Sequence, residues 1–537
     1  MRKLIYIFLA GAACSVAALS QNFTPQNKLR IAEAVIANYY VDTVNESKLV
    51  EDAIKGMIEE LDPHSSYTTP EETRQMNEPL EGNFSGIGIS FNINRDTLYV
   101  IETVAGGPSE RVGVLAGDRM IAVNDTAIAG VKMKNSDIQK RLRGPKGTDV
   151  NVRVLRKSAS GNDTIDFRIT RDMIPIYSVD AAYMTSPSTG YIKLNKYAAE
   201  TANEFRKAVK DLRKEGMKNL ILDLTDNGGG FLHAANELLG ELLEPGSLTV
   251  YTQGTNSPRQ DLRAKPKDRK PLFEDGRLVL MVNQNSASAA EITAGAVQDW
   301  DRGLIVGRRT FGKGLVQRPF PFPDGSMIRL TVAHYYTPTE RDIQKPFEKG
   351  HARDYAMDIL QRYNHGELMH ADSIKYIDSL KVHTIRNRRA VYGGGGIYPD
   401  SFVPLDTMPY TKYYRDVQAK GVFNRYAIGY VDKNRDRLRK QWKKDSGFIA
   451  GFEVTPEMMN DFIALAEEEG VKFNEEEFKR SESLIKMLIK ALVGRDTYTN
   501  ATFFKIYNTE DPIFKEALRL IESDGYQKML TTPDPLF

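Results

Sequence analysis

The sequence predicts a multidomain α+β protein with an α/β core, an inserted β-rich domain and helical regions at both ends. Three observations support this fold class. Apolar residues recur at helical spacing before residue 80 and after residue 410, and short apolar runs separated by turns fill residues 84–173. Between residues 176 and 400, buried-strand patterns alternate with helical ones. A chain of 537 residues also exceeds what one hydrophobic core supports, so we expect several domains.

The N-terminus has the features of a secretory signal over residues 1–20. Two basic residues precede the apolar run 4–19, and small residues suit cleavage before Gln21. The run is short for a membrane span, so we favour removal over an uncleaved anchor. Lipid anchoring through Cys14 is less favoured, because Gly11 stands where a lipoprotein signal has leucine or a similar residue. We therefore expect an exported protein of a bacterial periplasm or cell envelope.

Composition and charge exclude several classes of protein. Cys14 is the only cysteine, so removal of the signal leaves none. That excludes a disulfide framework, a thiol nucleophile and a cysteine-ligated zinc site. The net charge is only +2, which gives no support for a nucleic-acid partner.

Residues 21–80 are predicted to form an N-terminal helical region. Apolar side chains recur near helical spacing from Leu29 to Tyr39 and again after Leu49, and Asn45 offers a cap for the second helix. The region ends in LDPHSSYTTP, whose prolines and small polar residues predict a turn. We interpret His64 as part of that turn and not as a catalytic base.

Residues 84–175 carry short strands and a glycine-rich loop. The segment SGIGISF opens the region, and GVLAGDRMIAVND follows downstream. Together they resemble a PDZ domain; the alternative is a glycine-rich turn in an unrelated barrel. In such a domain, backbone N–H groups of the loop hold a terminal carboxylate and an extended peptide adds as a strand. The resemblance implies that the peptide-binding residues are Ser85, Gly86, Ile87, Gly88 and Ile89.

Residues 176–408 are predicted to form the α/β core. NLILDL at 219–224 and the run 277–282 are apolar enough for buried strands, and residues 199–215, 232–242 and 287–298 have helical patterns. Residues 409–537 form a charged, mostly helical C-terminal region that carries no catalytic motif, so its role is open.

The chemistry is concentrated between Val282 and Gln317. Ser288 follows a predicted strand and begins a helix, a position that exposes a nucleophilic oxygen and places it at a positive helix end. Ser286 is a rival, and both serines could instead be helix caps.

Lys313, between two glycines in TFGKG, is a candidate base. An ordinary lysine has a pKa of about 10.4, so it must be desolvated to act at neutral pH.

This segment resembles the active-site signature of the carboxyl-terminal processing peptidases, the tail-specific proteases of family S41. Further matching motifs are LDPHSSY, AHYYTP and GGGGIYPD, and the resemblance covers roughly residues 30–400. It implies a core like that of the Clp protease and crotonase superfamily. It also selects Ser288, three residues before Glu291, as the nucleophile and Lys313 as its base, with Gln317 orienting the lysine. In an extended strand, residues four apart lie roughly 13 Å from each other, so a bend near Gly314 would be required.

The resemblance also implies an oxyanion site made of backbone amides. They belong to Gly229 or Gly230, in the turn after NLILDL, and to Ala289. This chain has Thr225 where relatives commonly have arginine, which puts in doubt whatever that arginine stabilises. A Ser-His-Asp triad through His233 is a weaker alternative.

These observations predict a serine endopeptidase that uses no cofactor and no metal. Its expected partners are protein or peptide substrates with apolar C-terminal tails. A homodimer is implied by the resemblance alone, and an adaptor remains open. Two other classes compete: a catalytically inactive PDZ-bearing scaffold or adaptor, and an acyl-CoA enzyme of crotonase type. The presence of both Ser288 and Lys313 counts against the first, and the predicted signal and PDZ domain count against the second.

Overall fold

The structure is a computed structural model, and it describes residues 24–94, 96–104, 106–158 and 161–533. The predicted signal peptide, with Cys14, lies outside these ranges. Within them, no helix combines the length and the apolar character that a membrane crossing needs.

The chain forms two compact units. The first comprises Met1–Thr73, Gln317–Thr331 and Phe347–Ala356, and the second comprises Arg74–Val316, Val332–Pro346 and Met357–Phe537.

The first unit contains the two predicted N-terminal helices, α1 (Pro25–Tyr39) and α2 (Glu46–Glu59). The Asn45 side chain accepts from the backbone N–H of Lys48, so the predicted cap is confirmed. Strand β1 (Ser66–Thr68) pairs antiparallel with the start of strand β18 (Met327–Tyr336). Helix α3 (Pro70–Glu81) and strand β17 (Leu315–Pro321) run from one unit into the other.

The second unit contains the β-rich domain. Its sheet has the order β3-β4-β5-β7-β8, with β6 beside β5, and the strands enclose buried apolar side chains such as Leu98, Met120 and Val152. Strands β2 and β9 pair where the chain enters and leaves the domain. The elements are β2 (Asn83–Gly86), β3 (Ile89–Asn94), β4 (Thr97–Thr103), α4 (Pro108–Arg111), β5 (Arg119–Val123), β6 (Thr126–Ala127), α5 (Asn135–Leu142), β7 (Asp149–Ser158), β8 (Gly161–Thr170) and β9 (Asp172–Pro175).

A six-stranded sheet forms the centre of the same unit, in the order β10-β11-β12-β15-β16-β21. The strands from β11 to β21 are parallel, and β10 pairs antiparallel at one edge. The residues of β11, β12, β15 and β16 are almost all buried on both faces, which explains why the sequence shows continuous apolar runs. The elements are β10 (Val179–Met184), β11 (Thr189–Leu194), α6 (Thr201–Lys214), β12 (Asn219–Asp223), α7 (Leu232–Leu239), β15 (Leu278–Val282), α8 (Ala289–Asp299), β16 (Leu304–Gly307) and β21 (Ser401–Phe402).

Several smaller elements complete the list. Strand β13 pairs with β14 and with the end of β18. Between the AHYYTP and GGGGIYPD motifs lie one helix, two short 3₁₀ turns and a two-stranded ribbon. The elements are β13 (Leu248–Gly254), β14 (Ser257–Arg263), α9 (Ala352–Asn364), the turns Ala371–Ser373 and Asp378–Leu380, β19 (Lys381–His383) and β20 (Ala390–Tyr392).

The C-terminal region is helical, as predicted, and divides into two parts. Helices α10 to α15 enclose their own aromatic core, which includes Phe423, Phe448 and Phe462. Helices α16 and α17 pack instead on one face of the central sheet, against Tyr191, Ile221 and other residues. The elements are α10 (Lys412–Ala419), α11 (Val422–Gln441), α12 (Asp445–Gly451), α13 (Pro456–Glu468), α14 (Glu475–Thr497), α15 (Asn500–Tyr507), α16 (Pro512–Glu522) and α17 (Gly525–Thr531).

Candidate active site

Ser288 lies at the turn between β15 and α8, as the sequence predicts. It is the residue immediately before the helix, and it is half-buried. Its φ of +56° falls in the left-handed region, where a residue with a Cβ is strained. Such strain persists only when the surrounding structure holds the residue, and it is typical of a nucleophile presented on a sharp strand-to-helix turn.

The hydroxyl of the rival serine, Ser286, has a structural role. It is fully buried, donates to the Leu224 carbonyl oxygen at 2.7 Å and accepts from the Asn283 N–H at 3.0 Å. These bonds fix the loop that leads to Ser288. The geometry therefore separates the two serines: one holds the loop and the other lies at its strained end.

The glycine turn after β12 packs directly on the Ser288 loop. A Cβ added to Gly229 would lie 2.7 Å from the Cβ of Ser288 and 2.9 Å from the Ala289 amide nitrogen. Only glycine permits this approach, and Gly229 also has a φ of +95°. The Ala287 N–H donates to the Asn227 carbonyl oxygen at 2.9 Å, which links the two loops.

Of the predicted oxyanion residues, Gly229 has its own amide engaged. Its N–H donates to the Asn227 side-chain oxygen at 2.9 Å. Gly230 forms a parallel bridge with Tyr197, in which the Gly229 carbonyl and the Phe231 amide both face Tyr197. The intervening amide of Gly230 therefore points the other way.

Lys193 supplies a buried cation beside Thr225. Its Nζ donates to the Thr225 carbonyl at 2.6 Å, to the Thr225 hydroxyl at 2.8 Å and to Asp223 Oδ1 at 3.0 Å. The Tyr191 hydroxyl donates to the other oxygen of Asp223 at 2.6 Å. Strand β11 thus anchors the end of β12, from which the glycine turn emerges.

Glu291 connects the Ser288 loop to the Lys313 loop. Its Oε2 accepts from the backbone N–H groups of Ser288 and Lys313, at 2.8 Å and 2.9 Å. Its Oε1 accepts from the Gly312 N–H at 2.7 Å and the Thr310 hydroxyl at 2.5 Å. Burial raises the pKa of this carboxyl, and the four hydrogen bonds oppose that rise.

Lys313 lies in the loop between β16 and β17 and is half-buried. Both flanking glycines suit the path of the loop: Gly312 has a φ of +87°, and a Cβ on Gly314 would lie 2.8 Å from the Gln344 amide nitrogen. The loop is held by hydrogen bonds from the Lys345 N–H to the Gly312 carbonyl and from the Tyr335 N–H to the Gly314 carbonyl, both 2.9 Å.

Two side chains from residues 333–345 also contact this loop. The Tyr335 hydroxyl is hydrogen-bonded to the Lys313 carbonyl and lies 3.2 Å from the Ser288 carbonyl. The Lys345 ammonium lies 4.0 Å from the ring centre of Phe311, a residue of the same loop. Burial lowers the pKa of Lys345, although its ion pair with Asp358 at 3.1 Å acts in the opposite direction.

Gln317 is the third residue of β17 and belongs to the first unit. There its side-chain amide donates to the His64 carbonyl oxygen at 2.7 Å. The His64 ring is hydrogen-bonded to the Tyr355 hydroxyl at 2.7 Å, within the same unit. The Asp62 side chain accepts from the backbone N–H groups of His64 and Ser65, so the predicted LDPHSSY turn is confirmed.

The triad alternative receives no geometric support. His233 is exposed and stacks on Phe231 with ring centres 5.0 Å apart. Asp223 is engaged by Lys193, and the Asp226 carboxylate accepts from Asn283 and Asn285. Nor do His, Cys, Asp and Glu side chains form a group of three or more suited to a metal ion in the described part of the chain.

The β-rich domain has a groove of about 220 Å³ between β3 and α5. Four of the five predicted peptide-binding residues line it, from Gly86 to Ile89. The fifth, Ser85, lies in β2 opposite Met173. The rest of the lining combines apolar and polar side chains: Phe84, Phe91, Leu142, Asn135, Gln139 and Arg143.

Sequence reasoning missed the contributions of Glu291 and Lys193. Glu291 has a visible signal, because a glutamate three residues after a helix cap can accept from backbone amides. The sequence does not indicate that the Lys313 loop supplies some of those amides. Lys193 had one visible signal, a single charge inside the apolar strand GYIKL. A charged residue in a buried strand requires a partner, but the sequence does not name it.

Four protein-family models match separate parts of the chain. Residues 188–357 match the model for peptidase family S41, and residues 85–170 match the PDZ domain model. Residues 12–73 match the N-terminal domain of the activating protease CtpB, and residues 413–500 match a family of unknown function, DUF8443.

Several proteins are similar over most of this length. A carboxy-terminal-processing protease of Bartonella bacilliformis is 31% identical over 359 residues, which are 64% of this chain and 80% of that protein. A probable CtpA-like serine protease of Staphylococcus aureus is 33% identical, over 58% of this chain and 61% of that protein. The solved photosystem II D1 C-terminal processing protease is 29% identical and covers 60% of this chain and 91% of its own, with a TM-score of 0.33.

The predicted α/β core with a PDZ domain and a helical C-terminal region is therefore confirmed, as is the enzyme class. This chain belongs to peptidase family S41, with the carboxy-terminal-processing serine proteases.

Proposed function

We propose that this protein is an exported endopeptidase that uses Ser288 and Lys313 to cleave proteins recognised through their C-terminal tails. The observation that carries the proposal is the Glu291 carboxylate, which binds the backbone amides of both residues. A nucleophile and a base that lie on separate loops need such a connection to keep a fixed separation. Export is supported by the N-terminal sequence alone.

In the acylation step, the neutral Lys313 amine takes the proton of the Ser288 hydroxyl. The serine oxygen bonds to the carbonyl carbon of the scissile peptide, and the carbonyl electrons move to oxygen. The tetrahedral intermediate collapses with cleavage of the C–N bond, and the Lys313 ammonium returns the proton to the leaving amine. Water then attacks the acyl-enzyme, with Lys313 again as the base.

The oxyanion is stabilised by backbone amides. We assign this role to Gly230 and Ala289, because the Gly229 amide is bound by Asn227. Gly229 contributes by its lack of a Cβ, which lets the turn approach the Ser288 loop. Gln317 is assigned to orient Lys313, as in the family pattern.

The groove between β3 and α5 is assigned to the substrate tail. Phe84, Ile87 and Leu142 make it apolar, which suits an apolar C-terminal side chain. The glycine-rich loop offers backbone donors for the terminal carboxylate. The proposed substrates are therefore proteins or peptides with apolar C-terminal tails.

The test is proteolysis of an unfolded reporter that ends in either an apolar or a charged tail. We expect cleavage of the apolar-tailed reporter, and loss of cleavage in Ser288→Ala and in Lys313→Ala. Lys214 is an exposed lysine on α6, so Lys214→Ala is the matched control and should retain full activity. Cleavage that survives Lys313→Ala contradicts the lysine mechanism. Tail binding without cleavage by the wild type would favour the scaffold alternative.

A further inference from the structure

We propose that helices α10–α15 (residues 412–507) form a brace that ties the PDZ domain to the peptidase core through Asp432. These helices cover the region that matches a family of unknown function. They enclose a separate core, so their fold does not depend on the active site. What they contact outside themselves indicates what they do.

At one end, the brace is attached to the PDZ domain by a charge cluster. The Asp432 carboxylate on α11 accepts from Arg119 at 2.8 Å and from Lys157 at 3.0 Å. Arg119 begins β5 and Lys157 lies on β7, so one acidic side chain joins two neighbouring strands. The side chains of Asp432 and Arg119 are only 15% and 16% exposed, which strengthens their attraction relative to a surface pair.

Close packing accompanies these charges. Arg435, one turn after Asp432, lies against Gly117 and donates to the Asp496 carbonyl at 3.0 Å. Ile428 and Val431 enclose a small cavity with the β4 residues Tyr99 and Ile101. Hydrophobic burial around a fixed ion pair is typical of a stable contact between domains.

At the other end, the brace is attached to the central sheet. Asn508, which caps helix α15, donates to the Tyr183 hydroxyl on β10 at 2.9 Å. Asn500 donates to the Asp180 carbonyl at 3.3 Å, and Phe504 packs near Tyr191 with ring centres 6.4 Å apart. The helices therefore span from the PDZ sheet to the edge of the peptidase sheet.

The brace leaves the peptide groove uncovered. It contacts β4, β5 and β7, whereas the groove is lined by β3, α5 and the glycine-rich loop. No residue of the described lining is common to both places. We infer that the helices hold the PDZ domain in position while it binds a tail, so that the bound substrate is presented to the core. This last step rests on the proposed function.

The test is charge reversal in the full chain. Asp432→Arg places a third cation beside Arg119 and Lys157, and Asp436→Arg makes the same change at an exposed position of the same helix. In the Ser288→Ala background, we expect Asp432→Arg to enlarge the radius of gyration and to speed amide hydrogen exchange in β4 and β5 about tenfold. Asp436→Arg should change neither. The double variant Arg119→Asp with Asp432→Arg should restore both values, with Lys157 free to turn towards solvent.

Two further measurements separate release of the PDZ domain from its unfolding. The affinity for an apolar tail peptide should stay within about twofold in Asp432→Arg, because the groove is on another face. In the active background, turnover of the apolar-tailed reporter should fall to that of the charged-tailed one. If Asp432→Arg matches Asp436→Arg in scattering and exchange, the brace is refuted. If the PDZ domain loosens but turnover is unchanged, substrate presentation is refuted. If the wild type cleaves neither reporter, the proposed function is refuted. If Asp432→Arg nevertheless loosens the PDZ domain in that case, the attachment through Asp432 is still supported.

Discussion

The backbone amides of Ser288 and Lys313 donate to one carboxylate oxygen, Oε2 of Glu291, at 2.8 Å and 2.9 Å. The two residues are 25 positions apart in sequence and belong to different loops. Their shared acceptor therefore fixes the relative position of the candidate nucleophile and the candidate base.

Glu291→Gln should lower kcat about 10- to 100-fold, which corresponds to roughly 1.4–2.8 kcal/mol. An amide has one oxygen and one NH₂ group, so it cannot accept hydrogen bonds on both sides. The NH₂ group of the glutamine would then face backbone N–H donors where the wild type has a carboxylate oxygen. Steady-state kinetics on the apolar-tailed reporter measures this effect, and Glu237→Gln, an exposed glutamate on α7, is the control. A kcat within twofold of wild type would show that the Glu291 carboxylate is not needed to position Ser288 and Lys313.

Gly229→Ala should reduce activity about 100-fold, because the new Cβ would lie 2.7 Å from the Cβ of Ser288. Gly246→Ala is a matched control: its φ of +88° resembles the +95° of Gly229, but a Cβ there meets open space. Gly246→Ala should lose about 1–2 kcal/mol of stability through backbone strain and keep its activity. Gly229→Ala should lose activity, and it should lose more stability because its Cβ would also lie 2.7 Å from the Ala287 carbonyl oxygen. Equal kinetic losses in the two variants would mean that strain alone, not contact with Ser288, is responsible.

Ser286→Ala and Ser288→Ala should separate structure from chemistry. Removal of the Ser286 hydroxyl breaks two buried hydrogen bonds and should lower the free energy of unfolding by about 1–2 kcal/mol. Folded Ser286→Ala should still react with a fluorophosphonate probe, whereas Ser288→Ala should not. Urea unfolding and intact-mass spectrometry measure the two effects. A covalent adduct on Ser288→Ala would identify a different nucleophile.

Lys193→Met should destabilise the protein by about 3–5 kcal/mol, because it leaves Asp223 buried without its cation. The double variant with Asp223→Asn should regain much of that loss, since the asparagine oxygen can still accept from Tyr191. Urea unfolding of the single and double variants provides the test. If the double variant is no more stable than Lys193→Met, the lysine does not act through the Asp223 charge.

The central sheet was predictable because its strands are continuous apolar runs. NLILD and LVLMV are buried on both faces, so their pattern does not depend on any particular neighbour. Ser288, Lys313 and the glycine turn were identifiable because each lies in a short motif. The position of Ser288 at a strand-to-helix turn also followed from local sequence.

The connections between these motifs were not predictable. Glu291 is bound by amides of a loop more than 20 residues later, and Lys193 by a turn 32 residues later. Such pairings are set by sheet order, which periodicity does not encode. In the same way, the amphipathic pattern of α16 predicts an apolar face but does not name the sheet that it covers.

Helices α16 and α17 have a consequence for synthesis of the chain. They cover the face of the central sheet that carries Tyr191 and Ile221, and nearby Asn508 bonds to Tyr183, 325 positions earlier. At about 5–20 residues per second, a ribosome needs roughly 16–65 s to travel that distance. During this interval, helices α16 and α17 do not yet cover their face of the central sheet in the nascent chain. Both faces of the sheet are therefore covered only after the candidate nucleophile, the candidate base and the glycine turn have all been translated.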